Sequence, residues 1–442
     1  MIWYFEETNM KLQLPDLYDL VADDNFELFY KGILNCLDSD AYDFELQFED
    51  GVSRGTSYAR KYVWMPTAAD VGRHTLHITV RDQNGEVADR GSVTLHVVEK
   101  PISPAEEKVV LCVGDSLTSG GVWPAELYRR LCATGGSPSG YGLTNIRFIG
   151  TCVTGSHTAY EGVRYEGYGG WTFSSYNSVN QRGEYRYIYA AEGENYSALH
   201  PEADQHARYT DANGAVWKLE TIEEKRIKII AVGGSYAAFP ANGSLLYKDG
   251  GTGGVKSFSY VRQEIASQNP FWDEDAKRID IKKYAQAQGA ERIDEVIVLL
   301  GWNNTGIAEN VYKQQVRTFL DNFRAAYPEC RISLVGLQVP LHDGFGSSYG
   351  IAWPYYEKLQ SVWEFQRWYI DITREEAYRD FVSYVSVAGQ FDSVNNVLMK
   401  EIPVNNRNPK TEVVCSNGVH PATSGYLQIA DAILRHMAAK FR

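Results

Sequence analysis

A serine, a histidine, a glycine pair and an asparagine pair stand at turns of this chain, where together they could open an ester bond. Ser116 closes the apolar run Val109-Val110-Leu111-Cys112-Val113-Gly114-Asp115-Ser116. A strand-like run that stops at Gly-Asp-Ser, with a helix-like segment and Pro124 after it, puts the hydroxyl at the carboxyl edge of a parallel sheet, where open α/β folds place their chemistry. It also puts the hydroxyl beside a helix N-terminus, whose N–H groups can stabilise developing negative charge. Such a hydroxyl is a weak nucleophile until a base takes its proton. His420, in Asn417-Gly418-Val419-His420-Pro421, is the natural base, because imidazole titrates near neutral pH. The oxyanion then needs preorganised donors, each worth roughly 3–4 kcal/mol. Glu166-Gly167-Tyr168-Gly169-Gly170-Trp171-Thr172 offers a backbone that can approach closely, and Gly301-Trp302-Asn303-Asn304 offers uncharged amides. Each block also has a plain explanation: Ser116 as a helix cap, the glycines as a tight turn, the asparagines as loop amides, His420 as a capping histidine. None of these explains why the four blocks occur together.

In this order the four blocks resemble the SGNH (GDSL-type) hydrolase superfamily of serine esterases and lipases, over residues 106 to 442 apart from one insertion. The resemblance implies an α/β fold with a flavodoxin-like three-layer parallel sheet. It implies Ser116 as nucleophile and His420 as base. It assigns the oxyanion hole to the Ser116 backbone N–H, the Gly170 backbone N–H (Gly169 being the alternative) and the side chain of Asn303, which the family's Gly-x-Asn pattern favours over Asn304. An added N-terminal β domain makes the chain look like the carbohydrate esterases of that superfamily, which remove acetyl groups from polysaccharides.

One departure stands out. The family usually carries an aspartate three residues before the histidine, and here that residue is Asn417. In serine proteases the corresponding Asp-to-Asn change costs about 10⁴ in kcat, because the histidine adopts the wrong tautomer. Asn417 could still orient the ring through its carbonyl, as in Cys-His-Asn proteases. A backbone carbonyl could hold a Ser–His dyad, or another acid such as Asp343 or Asp392 could serve. Trp171 and Trp302 adjoin the oxyanion positions and read either as a substrate floor or as core packing. Gln338 reads as a substrate contact. Neither the neighbours His342 and Asp343 nor His74, His77 and His96 make a coordination set: His74 and His77 point to opposite faces of one strand. No metal and no cofactor are expected.

These residues need elements to hold them. Val109–Val113, Ile146–Cys152, Glu295–Leu300 and Arg331–Val339 read as strands. Trp123–Cys132, Val311–Tyr327 and Ser424–Phe441 read as helices, and Tyr378–Val387 as a helix-to-strand passage. The alternation implies a parallel sheet covered on both faces. Before it, residues 1–99 read as an immunoglobulin-like β-sandwich. Its signals are alternation in Phe26–Tyr30 and Tyr42–Phe48 and a hairpin signal at Asp82-Gln83-Asn84-Gly85 between two further strands. The Pro-rich stretch Lys100–Glu107 reads as the linker. From about 172 to 290 the rhythm breaks into a β-rich insertion, with a turn inside Tyr209–Leu219 and a strand at Arg226–Val232.

The bulk numbers bound the rest. With 442 residues, 44% hydrophobic and 22% charged, the chain can build more than one core. A net charge of -13 argues against nucleic acid or an anionic membrane as partner. The 30 tyrosines and 10 tryptophans suit a sugar-handling surface. Six cysteines show no metal-like spacing. The N-terminus lacks the pattern of a signal peptide, so the chain is expected to be cytoplasmic or to have lost a leader. The sequence therefore reads as a serine esterase acting on a small-molecule or polysaccharide ester, most simply an O-acetylated carbohydrate. Its rivals are a glycan-binding protein with a weak or inactive site, and a lipase or thioesterase, for which no long apolar lid segment is seen.

Overall fold

The run that ends in the serine block is the inner strand of a parallel sheet. In the computed structural model, residues 12–199, 207–234, 245–248, 257–304, 306–340 and 355–441 are described. Two compact units emerge: one ends at Phe173 and resumes at Ala285, and the other is Ser174–Tyr284.

The first unit begins with seven strands in two sheets. They are β1 (Leu17–Val21), β2 (Phe26–Phe29), β3 (Asp43–Phe48), β4 (Thr56–Ser57), β5 (Lys61–Trp64), β6 (Gly72–Arg81) and β7 (Val87–Val98). One sheet has the order β1-β7-β6-β3 and the other β2-β5-β4. The alternate residues of these strands meet in a single core that includes Leu20, Phe26, Leu28, Trp64, Leu76, Ile78 and Leu95. The β6–β7 turn lies where the Asp82–Gly85 signal falls, with Asp82 Oδ1 accepting from the Asn84 and Glu86 amides.

Next come β8 (Lys108–Gly114), helices α1 (Ser116–Ser119) and α2 (Val122–Cys132), and strands β9 (Ile146–Ile149), β10 (Cys152–Val153) and β11 (Arg164–Gly167). β8 is buried beyond its first residue, as expected of a strand covered on both faces. The glycine block rides on β11, a strand of its own, rather than following β9 directly. The segment after the serine is also two helices rather than one, because Gly121, at φ +68°, turns the chain before α2 begins.

After the second unit the sheet resumes with β21 (Glu295–Leu299), β22 (Arg331–Val335) and β23 (Val382–Val385), numbering β12–β20 in the intervening segment. Its order is β10-β11-β8-β21-β22-β23, with β9 also paired to β8. The pairings among β8, β9, β11, β21, β22 and β23 are all parallel, and β10 joins β11 antiparallel at the edge. Helices α3 (Glu309–Ala326), α4 (Tyr355–Arg374) and α5 (Thr423–Ala438) accompany it, and an exposed hairpin, β24 (Met399–Asn405) with β25 (Asn408–Cys415), precedes the histidine block. No helix among the described residues is long and apolar enough to cross a membrane.

The linker at 100–107 does not divide the structure into separate units, because buried polar contacts join what it connects. Arg130 is 1% exposed and pairs with Asp24 at 2.9 Å and Asp431 at 2.6 Å. Asp19 accepts from the ring Nδ1 of His96 at 2.8 Å and of His436 at 2.9 Å. Tyr18 and Ser386 share a hydrogen bond, as do Asn35 and Gln360.

The second unit is a seven-stranded antiparallel sheet. Its members are β12 (Gln181–Tyr189), β13 (Arg208–Thr210), β14 (Val216–Ile222), β15 (Arg226–Gly233), β16 (Leu245–Lys248), β17 (Ser257–Ser259) and β18 (Arg262–Ser267), in the order β17-β16-β13-β14-β15-β12-β18. Two short strands, β19 (Trp272–Asp273) and β20 (Arg278–Ile279), pair separately. The β13–β14 turn is held by buried Asp211, whose carboxylate accepts from the Asn213 and Ala215 amides and from the Trp217 indole N–H. Trp217, Tyr209, Ile227 and Ile229 fill its core.

Candidate active site

Three parallel strands end side by side, and that alignment assembles the first three blocks. Gly114, at the end of β8, is level with Gly167 at the end of β11 on one side and with Leu299 at the end of β21 on the other. The turns that follow therefore share one carboxyl edge of the sheet. The two glycines are required by close packing. A Cβ on Gly114 would lie 1.9 Å from Thr118 Oγ1 and 2.8 Å from the Leu299 carbonyl, and one on Gly167 would lie 2.8 Å from the Ser119 amide nitrogen. Only without side chains can α1 sit directly on the strand ends.

Asp115 caps that helix. Its Oδ1 accepts from the Leu117 amide at 2.9 Å, while its main-chain carbonyl accepts from Thr118 and Ser119. These bonds leave the Ser116 N–H without an acceptor among the described residues. Ser116 Oγ lies 2.9 Å from His420 Nε2. Residues 304 positions apart are thereby brought into proton-transfer distance. Burial holds the His420 pKa below its usual 6.5, so the ring is neutral at pH 7. A neutral ring that accepts at Nε2 carries its proton on Nδ1.

The Asn417 side-chain oxygen is turned to the main chain and not to the imidazole. The Asn417 side-chain oxygen accepts from the Val419 and His420 backbone amides, each at 2.9 Å, in an Asx-type turn. It holds the main chain that carries the ring, and among the described residues no group hydrogen-bonds His420 Nδ1. Asp392 is engaged elsewhere. Burial alone would raise its pKa, but Arg60, Asn395 and the Val394 amide outweigh burial and lower it. Asp343, together with His342, lies outside the described residues.

Tyr168–Trp171 forms a β-turn closed by the Trp171 amide on the Tyr168 carbonyl at 3.2 Å. Gly170 has φ +78°, and Gly169 does not share the left-handed conformation. A third turn residue at positive φ demands glycine, and its N–H stands outside the turn's own hydrogen bond. Gly170 is exposed and has no hydrogen-bond acceptor among the described residues. Buried Glu166 braces this turn, accepting from Tyr168 Oη at 2.6 Å and from the Thr151 amide and hydroxyl.

Of the two asparagines, Asn303 is the exposed one, and Asn304 is buried. Asn303 Nδ2 donates to the Trp171 carbonyl at 3.0 Å and to Asp115 Oδ2 at 3.3 Å, which ties the third block to the first two.

Trp171 and Trp302 are 1% and 2% exposed, so of the two readings open for them core packing holds. Trp171 stacks on Tyr168 with ring centroids 4.2 Å apart. Gln338 is not a substrate contact: it is 1% exposed and both ends of its amide are used. Its oxygen accepts from Trp302 Nε1 at 3.3 Å and its nitrogen donates to the Val419 carbonyl at 2.8 Å. Gln338 thus bridges the asparagine block to the histidine block. His420 is positioned through its backbone, from the amide side by Asn417 and from the preceding carbonyl by Gln338.

Sequence reasoning missed Lys358, on a helix it did not assign. The signal was present: Leu359, Val362, Trp363, Gln366, Tyr369 and Ile370 repeat at helical spacing, and Lys358 falls on that buried face. The abundance of aromatic residues masks it, because such residues also favour strands. Among the described residues no group of three or more His, Cys, Asp or Glu side chains could hold a metal ion.

No protein-family profile matches the chain, and no curated protein matches it. Solved structures do match, distantly. A carbohydrate esterase family 3 protein from Talaromyces cellulolyticus is 12% identical over 76% of this chain and 98% of its own, with a TM-score of 0.36. The Clostridium thermocellum family 3 carbohydrate esterase is 15% identical over 75% and 100%, with a TM-score of 0.35. A family 2 carbohydrate esterase with a carbohydrate-binding domain from Corynascus thermopiles (Myceliophthora fergusii) is 12% identical over 97% and 98%, with a TM-score of 0.30.

Proposed function

We propose that this protein is a serine esterase of the SGNH type that removes acyl groups, most simply acetyl, from a carbohydrate ester. The observation that carries the reading is the 2.9 Å contact between Ser116 Oγ and His420 Nε2 at the carboxyl edge of a parallel sheet. Its N-terminal strands belong to the same reading as an immunoglobulin-like accessory module.

In this reaction Ser116 Oγ bonds to the ester carbonyl carbon as its proton passes to His420 Nε2. The resulting oxyanion is received by the Ser116 and Gly170 N–H groups, neither of which has a described acceptor to give up. Asn303 Nδ2 completes the set by exchanging its longer partner, Asp115 Oδ2 at 3.3 Å, for the substrate oxygen. The tetrahedral intermediate collapses, the C–O bond to the alcohol breaks, and His420 protonates the departing oxygen. Water then attacks the acyl-enzyme, giving its proton to Nε2, and Ser116 recovers that proton as the acid leaves. The neutral, partly buried ring suits this exchange at neutral pH.

The test is hydrolysis of p-nitrophenyl acetate and labelling by a fluorophosphonate. Ser116→Ala should abolish both, and a variant as fast as the native protein would remove the assignment. Failure of the native protein to label would favour a glycan-binding protein with an inert site. Acetate release from a panel of acetylated glycans, compared with longer acyl esters, separates a carbohydrate esterase from a lipase or thioesterase.

A further inference from the structure

Beneath the asparagine turn lies a buried cation that the reaction above does not use. Lys358, in the first turn of α4, is 1% exposed. Its Nζ donates to the Trp302 carbonyl at 2.7 Å and lies 4.6 Å from the centre of the Trp302 ring. Trp302 is the residue before Asn303. An ammonium removed from water is costly unless something needs it there, and a leucine or methionine would fill the same space without that cost. Among the described residues the opposite charge that acts on it is Asp115, itself fully buried, bonded to the Leu117 amide and to Asn303 Nδ2. One buried charge therefore grips the carbonyl before Asn303, and its counter-charge accepts from the Asn303 amide.

We propose that Lys358 is a positioning residue of this site: through the Trp302 carbonyl it fixes the Trp302–Asn303 turn, so that Asn303 Nδ2 is held beside Ser116. The inference rests on the esterase reading and names a group that reading does not require. The carbonyl bond pins the turn from below, and the Trp302 indole, tied to Gln338, pins it from the side. Burial lowers the Lys358 pKa to about 8, opposed by attraction to Asp115. Burial likewise raises Asp115 to about 7, opposed by the Leu117 amide and by Lys358. As pH rises through about 8 the lysine loses its proton and the grip on Asn303 weakens.

The experiment compares the native protein with Lys358→Met, Lys358→Gln and, as a control for the esterase reading, Ser116→Ala. Each is followed by steady-state hydrolysis of p-nitrophenyl acetate from pH 5 to 10, by melting temperature, and by amide exchange over residues 301–304. For Lys358→Met the expected result is a kcat at least roughly tenfold lower with KM within about twofold, a scale set by loss of one charged hydrogen bond. The decline in native kcat around pH 8 should be absent from this variant, and exchange over 301–304 should quicken while the rest of the chain is unchanged. Lys358→Gln, which keeps a donor but no charge, should recover exchange protection without recovering the alkaline decline. A Lys358→Met protein with native kcat and a native pH profile overturns the proposal. So does one in which kcat, KM and exchange throughout the chain change in step with a lost melting temperature, because that is a general packing defect. If Ser116→Ala hydrolyses as fast as the native protein, the esterase reading itself fails and takes this inference with it.

Discussion

Replacing Asn417 distinguishes a residue that orients an imidazole from one that holds a backbone. In this structure its side-chain oxygen accepts from the Val419 and His420 amides at 2.9 Å each. Each such bond contributes about 1 kcal/mol net. Asn417→Ala removes both, about 2 kcal/mol in all. If that loss appears as slack in the position of His420, kcat falls about 30-fold, with KM little changed because no substrate contact is lost. The informative partner is Asn417→Asp. Were the side chain meant for Nδ1, a carboxylate there would restore a full triad and could raise kcat by up to about 10⁴. With its oxygen committed to two amides, the expected change is under about tenfold. Steady-state hydrolysis of p-nitrophenyl acetate by both variants, beside their melting temperatures, decides the matter. An Asn417→Asp protein accelerated a hundredfold or more would refute the backbone role, and so would an Asn417→Ala protein with native kcat.

Two further outcomes follow from the same geometry. Gln338→Leu leaves the buried Trp302 N–H and Val419 carbonyl without their partner, at about 1–3 kcal/mol for each orphaned group. The melting temperature should drop by several degrees and kcat by about tenfold, whereas a rise in KM alone with unchanged stability would mark Gln338 as a substrate contact after all. Burial keeps His420 below its usual 6.5 with no described carboxylate on Nδ1 to raise it. The neutral ring is the active form, so kcat/KM should fall as pH drops through that pKa and reach its plateau between it and the alkaline decline set by Lys358. An acid limb centred well above pH 7, beyond both His420 and Asp115, would show an acidic partner for the ring.

Much of the fold is legible in local pattern. The apolar strand 108–114 and the helices near 122–132, 309–326 and 423–438 announce themselves because a core-facing strand or helix must repeat its apolar residues at a fixed period. The insertion shows as a break in that rhythm, and the structure gives Ser174–Tyr284 as a unit of its own. Helix α4 was hidden by its aromatic residues. The linker composition of residues 100–107 marks where a chain is exposed and says nothing of Arg130, Asp24 and Asp431 meeting across it.

The sequence by itself determined which residue types stand at the strand ends: Ser116, Gly170, Asn303 and His420 follow from motif and turn chemistry, both of which are local. How His420 is held was decided only in three dimensions. An asparagine where an aspartate is expected looks like a defect in the base. Folding instead spends Asn417 on two amides, seats Gln338 between Trp302 and Val419, and sets Lys358 under the Trp302 carbonyl. Partners so far apart in the chain leave no mark in local spacing, because a hydrogen bond depends on where the atoms come to lie and not on their separation in sequence.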